Sequence, residues 1–116
     1  MRYIGLDVHK HVVQVCMLDE QGHHLWRGRI DCTREALIGF GHEQLAVDDR
    51  LALEVSTNTW AVVDFLEPFV ERIAVGNPLK TKAIAEAKIK TDKVDAEVLA
   101  RIIHRHRRWA VDDRGE

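Results

Sequence analysis

The stretch Tyr3-Ile-Gly-Leu-Asp-Val-His-Lys-His-Val-Val-Gln-Val-Cys-Met-Leu18 decides the fold. Its first run, Tyr3–Asp7, is short, apolar and closed by a carboxylate, the pattern of a buried strand. Its second, His11–Leu18, is rich in β-branched Val12, Val13 and Val15 and predicts another strand. The short link between them forces the two to lie antiparallel. Asp19-Glu-Gln-Gly22 follows as a turn in which Gly22 can take positive φ. His24–Ile30 then predicts a third strand, so the chain opens with an antiparallel meander.

Beyond the meander the hydrophobic period changes. Thr33 is a good helix N-cap, and Leu37, Ile38, Phe40 and Leu45 predict a helix over 34–46, weakened by Gly39 and Gly41. Arg50–Val55 reads as a buried strand carrying Glu54. Asn58–Val70 is helical in pattern, with Pro68 as a kink or stop. Arg72–Val75 predicts a fifth strand, halted by Gly76-Asn77-Pro78. Leu79–Ala87 reads as a short helix and Lys88–Lys90 as a loop. Thr91 caps a last helix over 92–107, with Val94, Val98, Leu99, Ile102 and Ile103 inward. Three antiparallel strands followed by α/β crossovers describe an α/β fold of the RNase-H-like (RuvC-like) type, a mixed five-stranded sheet with helices on both faces.

Composition sets the boundaries. The 116 residues suit one domain spanning 1–116, and 46% hydrophobic with 31% charged residues is an ordinary globular balance. No apolar run approaches the ~20 residues that cross a bilayer. The expectation is a cytoplasmic protein without a membrane partner. Cys16 and Cys32 lack metal-finger spacing and are expected to be buried free thiols. His9, His11, His23 and His24 show no zinc spacing and read as surface residues at strand ends. Net charge is −2, but unevenly spread. Residues 1–77 hold seven basic and twelve acidic residues, whereas 78–109 hold nine and four. An acidic front half followed by a basic stretch suits a metal site beside a phosphate-binding surface.

Four carboxylates supply such a site. Asp7 and Glu54 each close a buried strand, and in the expected topology these strands are neighbours. Asp92 and Asp95 stand three apart at the start of the last helix, a spacing that shares one face and that also suits acids at a helix N-terminus. Hard cations such as Mg²⁺, or Mn²⁺, take oxygen ligands, and a pair of them can act on a phosphodiester. Lys80, Lys82, Lys88, Lys90 and Lys93 around the loop before the last helix, with Arg101, Arg105 and Arg108 on it, are candidate nucleic-acid contacts. Trp26, Trp60 and Trp109 read as core or interface residues, and Ser56 as a loop or cap residue.

Gly5-Leu-Asp-Val-His-Lys10, Leu53-Glu-Val-Ser56, Val75-Gly-Asn-Pro78 and Lys90-Thr-Asp-Lys-Val-Asp-Ala96 together resemble the N-terminal domain of the DEDD transposases of insertion-sequence family one-hundred-and-ten. The resemblance implies a RuvC-like domain in which Asp7, Glu54, Asp92 and Asp95 are catalytic metal ligands. It also implies DNA as substrate, a structured guide RNA, a homo-oligomer, and a separate C-terminal domain bearing a serine that attacks the DNA phosphate. The sequence ends at Glu116, so that serine-bearing domain is expected to be absent and this chain alone to be an incomplete enzyme. Two other classes stand beside this one. A non-catalytic RNA/DNA-binding or oligomerisation module from a truncated transposase would act through residues 80–108. A sugar-kinase-like ATP-binding domain shares the opening strand but would need a second glycine-rich phosphate loop, which is missing.

Overall fold

The computed structural model describes residues 1–76 and 95–106. Strands β1 (Tyr3–Val8), β2 (Val12–Leu18), β3 (His24–Asp31), β4 (Arg50–Glu54) and β5 (Arg72–Gly76) form one sheet in the order β3-β2-β1-β4-β5. The meander is antiparallel, and β4 and β5 are parallel to β1. The predicted mixed five-stranded sheet is therefore present, with β1 and β4 adjacent at its centre.

Local chemistry sets the boundaries. In the β2–β3 turn Gly22 takes φ 87°, while Asp19 Oδ1 accepts from the amides of Gln21 and His23 at 2.9 Å each. Helix α1 spans Arg34–Gln44 and is capped by Thr33, whose hydroxyl accepts from Ala36 N at 3.2 Å. The helix predicted over Asn58–Val70 is shorter. Helix α2 covers Thr59–Leu66 and passes into a 3₁₀ turn at Glu67–Phe69. Pro68 accounts for the change, since it has no N–H to continue the α-helical ladder.

Helices cover both faces. Leu37 and Phe40 of α1, with Val62, Val63 and Leu66 of α2, pack on Ile4, Leu6, Val13, Val15, Leu51 and Leu53. On the opposite face lies α3 (Ala96–Arg105), which buries Val98, Leu99, Ile102 and Ile103 against Tyr3, Leu18, Ala52 and Ala74. The ladder registers explain how α3 approaches: Cys16, Gly5, Ala52 and Ala74 form one row across four strands. Small side chains along that row make a trough for the helix. At Gly5 a Cβ would strike the backbone of Ala96 and Ala100, so only glycine admits α3 at this depth.

The last helix corrects the sequence reading. It begins at Ala96, and Asp95 is its extended N-cap (φ −102°, ψ −176°) rather than a residue within the helix. The capping geometry won over the longer apolar periodicity, because the Asp95 side chain satisfies an amide that the first turn leaves open. The predicted helix Leu79–Ala87, the loop Lys88–Lys90, the Thr91 cap and Asp92 itself lie outside the described residues.

Cys16 and Cys32 are free. Cys16 is buried as expected, Cys32 only half-buried, and burial pushes both thiols up from their ordinary range. Trp26 is partly exposed and stacks on Phe40, with ring centroids 6.4 Å apart. Trp60 packs against the core from its margin. No helix among the described residues is long and apolar enough to cross a membrane.

Candidate metal centre

Side chains on a strand alternate between faces, so Asp7 shares the α3 face with Gly5, and Glu54 shares it with Ala52. Gly5 is level with Ala52 across the parallel β1–β4 pair. Carried two residues on, that register sets Asp7 level with Glu54. The two carboxylates therefore leave adjacent strands on one face, one step past the trough that seats α3. They line a small cavity of about 60 Å³ together with Leu6, Val8, Val55, Ser56 and Leu99. This is the convergence of strand ends expected from the sequence.

The Asp7 side chain and the Glu54 backbone are each held by a neighbour. Asp7 Oδ2 lies 3.0 Å from His9 Nε2, and its side chain is 15% exposed. His9, read from sequence as a strand-end surface histidine, is thus in contact with a site carboxylate. The end of β4 is fixed by Thr59, which is fully buried and donates its hydroxyl to the Glu54 carbonyl at 2.6 Å. Ser56 Oγ joins Thr59 Oγ1 at 2.8 Å, so Ser56 is a loop residue bracing the start of α2, as expected. Val55 N donates to Gly76 O at 3.0 Å, tying the same strand end to β5.

Asp95 stands apart from this pair in one respect. Its Oδ1 accepts from Val98 N at 3.0 Å. Leu99, one turn further along α3, lines the Asp7–Glu54 cavity. Asp95 itself lines a neighbouring cavity of about 300 Å³ with Gln14, Arg27, Arg29 and Glu97. Among the described residues, no three His, Cys, Asp or Glu side chains gather closely enough to hold a metal ion by themselves. The structure thus brings Asp7 and Glu54 together and puts Asp95 at the entry to α3, while Asp92 lies outside the described residues. Carboxylate oxygens from two strand ends at one cavity are the donor type that hard divalent cations take.

Of the basic residues expected to contact nucleic acid, Arg101 and Arg105 are described. Arg101 Nε donates to Glu97 Oε2 at 2.9 Å, and the same carboxylate receives Arg27 from β3. Hydrogen bonding from Arg101 first, then Arg27, holds the Glu97 carboxyl below its usual range. Arg105 is exposed in the last turn of α3. Lys80, Lys82, Lys88, Lys90, Lys93 and Arg108 lie outside the described residues. Sequence reasoning missed the face on which Gln14 and Arg29 sit, because the bulge between Met17 and Leu18 shifts the β2–β3 register by one residue, and counting back through the turn would have set Arg29 on the opposite face.

A family model described as transposase, that of the DEDD transposases of insertion-sequence family one-hundred-and-ten, matches residues 4–114. A search of curated proteins gave no match.

Proposed function

Because the chain belongs to the transposase family of DEDD enzymes of insertion-sequence family one-hundred-and-ten, whose substrate is DNA, we propose that it holds a divalent cation, Mg²⁺ or Mn²⁺, against a DNA phosphodiester. The ligands are Asp7, Glu54 and Asp95, with Asp92 as the fourth. The observation that carries this reading is the pairing of Asp7 and Glu54 at one cavity from adjacent strand ends. Asp7, Glu54, Asp92 and Asp95 would hold the cations, which when bound would supply Lewis-acid stabilisation of charge on a phosphodiester.

The chain's own residues supply the frame for that chemistry. His9 orients the Asp7 carboxylate, and Thr59 anchors the backbone that carries Glu54. Leu99 of α3 borders the cavity beside the two carboxylates. The nucleophile is a serine of a further domain, in keeping with the family resemblance. A structured guide RNA and a second copy of the chain complete the assembly, and Lys80, Lys82, Lys88, Lys90, Lys93, Arg101, Arg105 and Arg108 offer the phosphate contacts.

Titration calorimetry with Mn²⁺ tests the metal reading. Wild-type chain should bind, and Asp7→Asn and Glu54→Gln should each weaken binding roughly tenfold or more. Equal heats in all three would remove the metal site. If RNA binding then proved salt-dependent and indifferent to metal, the chain would be a non-catalytic nucleic-acid module instead.

A further inference from the structure

The polar row beside the α3 trough extends beyond the two acids. Asp7 is level with Gln14 on β2, and Gln14 is level with Arg29 on β3. Arg29, Gln14, Asp7 and Glu54 therefore form one line across four neighbouring strands, all on the α3 face. The β-bulge in the β2–β3 pair falls between Met17 and Leu18, well away from this line. Gln14 and Arg29 lie on the cavity of about 300 Å³ that Asp95 also borders.

The arginines here differ in state. Arg27 and Arg101 both bind Glu97. Arg29 is exposed and has no hydrogen bond or ion pair among the described residues. Its backbone is two strand spacings from Asp7, roughly 10 Å, and an arginine side chain bridges much of that distance. An exposed guanidinium at this separation matches a phosphate neighbouring one seated at the acids, and Gln14 between them offers an amide to the same strand. The Asp95 carboxylate, already accepting from Val98 N, is taken up by the cation in the reading above. Among the described residues lining the cavity, Arg29 is then the cation without an ion pair.

We propose that Arg29 and Gln14 form a subsite for a DNA backbone phosphate adjacent to the one acted on at Asp7 and Glu54. The strand runs across the sheet from β4 toward β3. This inference rests on the reading that the acids act on a DNA phosphodiester, but its test does not need the metal.

The experiment is fluorescence anisotropy of a labelled single-stranded DNA oligonucleotide with the chain, in EDTA, over a series of salt concentrations. Wild type should bind with a linear dependence of log K on log salt. Arg29→Ala should weaken binding several-fold and reduce the slope by about 0.7, the value for one single-strand phosphate contact. Arg29→Lys should keep the slope, and Arg27→Ala, which removes a cation already paired to Glu97, should change it far less. An unchanged slope in Arg29→Ala, equal losses in Arg27→Ala and Arg29→Ala, or no binding by wild type would each overturn the subsite. Loss of the Mn²⁺ heats in calorimetry with the Arg29 effect intact would instead strike only the metal reading.

Discussion

Gly5 faces the backbone of Ala96 with no room for a methyl group between them. That contact sets the depth of α3 in its trough, and with it the height of Asp95 and Leu99 relative to Asp7. Gly5→Ala must push the helix outward, because the colliding atoms are backbone rather than the tip of a flexible side chain. The expected loss is about 3 kcal/mol, at the upper end for overpacking, read as a lower urea midpoint. Loss of Mn²⁺ affinity should accompany it even at temperatures where the variant is folded. A variant as stable as wild type would mean that α3 is not seated on Gly5.

At the other end of the same strand, Arg2 and Asp49 form a bidentate pair, with Nε to Oδ1 at 2.9 Å and Nη2 to Oδ2 at 2.6 Å. Asp49 is 1% exposed, whereas Arg2 is 30% exposed. The asymmetry predicts unequal costs. Arg2→Ala leaves a buried carboxylate without its cation and should cost about 3 kcal/mol. Asp49→Ala lets the guanidinium turn to water and forfeits mainly the pair and the Ala46 amide contact, roughly 1.5 kcal/mol. Thermal melts of both variants check the order. Neither should change Mn²⁺ affinity in the folded protein, since the pair sits at the N-terminal ends of β1 and β4 and the acids sit at their C-terminal ends.

The strands were legible because burial on both faces leaves little freedom. Tyr3-Ile-Gly-Leu is apolar without a break, and the β-branched run after His11 suits only a strand. The order of the first three strands followed from the short meander links, and the meeting of Asp7 with Glu54 followed from the RNase-H-like topology, in which the first and fourth strands are neighbours. The start of α3 was not legible in the same way. Asp92 and Asp95 are both acceptable at a helix N-terminus, and an apolar pattern that includes Val94 does not say which acid caps. The choice lies in tertiary contact: α3 must place Ala96 on Gly5, which leaves Asp95 at the cap. Arg29 escaped notice because an exposed cation on an edge strand gains meaning only when the register sets it in line with Asp7.

Glu97 gives a prediction about acid stability. Its carboxyl is held below the ordinary value near 4.5, chiefly by Arg101 and then by Arg27. A lowered folded-state value means the contribution to stability is complete above that ordinary value and fades as pH falls through the window beneath it. Glu97→Gln should therefore be less stable than wild type at pH 7, by roughly 0.5 kcal/mol for so exposed a cluster. The gap should close in strong acid, where both proteins lack the charge. Urea midpoints measured from pH 7 down to pH 3 provide the comparison, and a gap that widened on acidification would refute the sign.

Asp95 carries two duties that a pair of substitutions can separate. As N-cap it accepts from Val98 N at 3.0 Å, a role in which asparagine is nearly equivalent to aspartate and alanine is about 1 kcal/mol worse. As a proposed metal ligand it must bring a negative oxygen, which asparagine lacks. Asp95→Asn should therefore melt within a degree or two of wild type, with any small loss coming from the charge–dipole term, yet bind Mn²⁺ more weakly. Asp95→Ala should lose both stability and affinity. If Asp95→Asn kept full Mn²⁺ affinity along with its stability, the carboxylate would be a cap alone, and the cation would have to be held by Asp7, Glu54 and Asp92 without it.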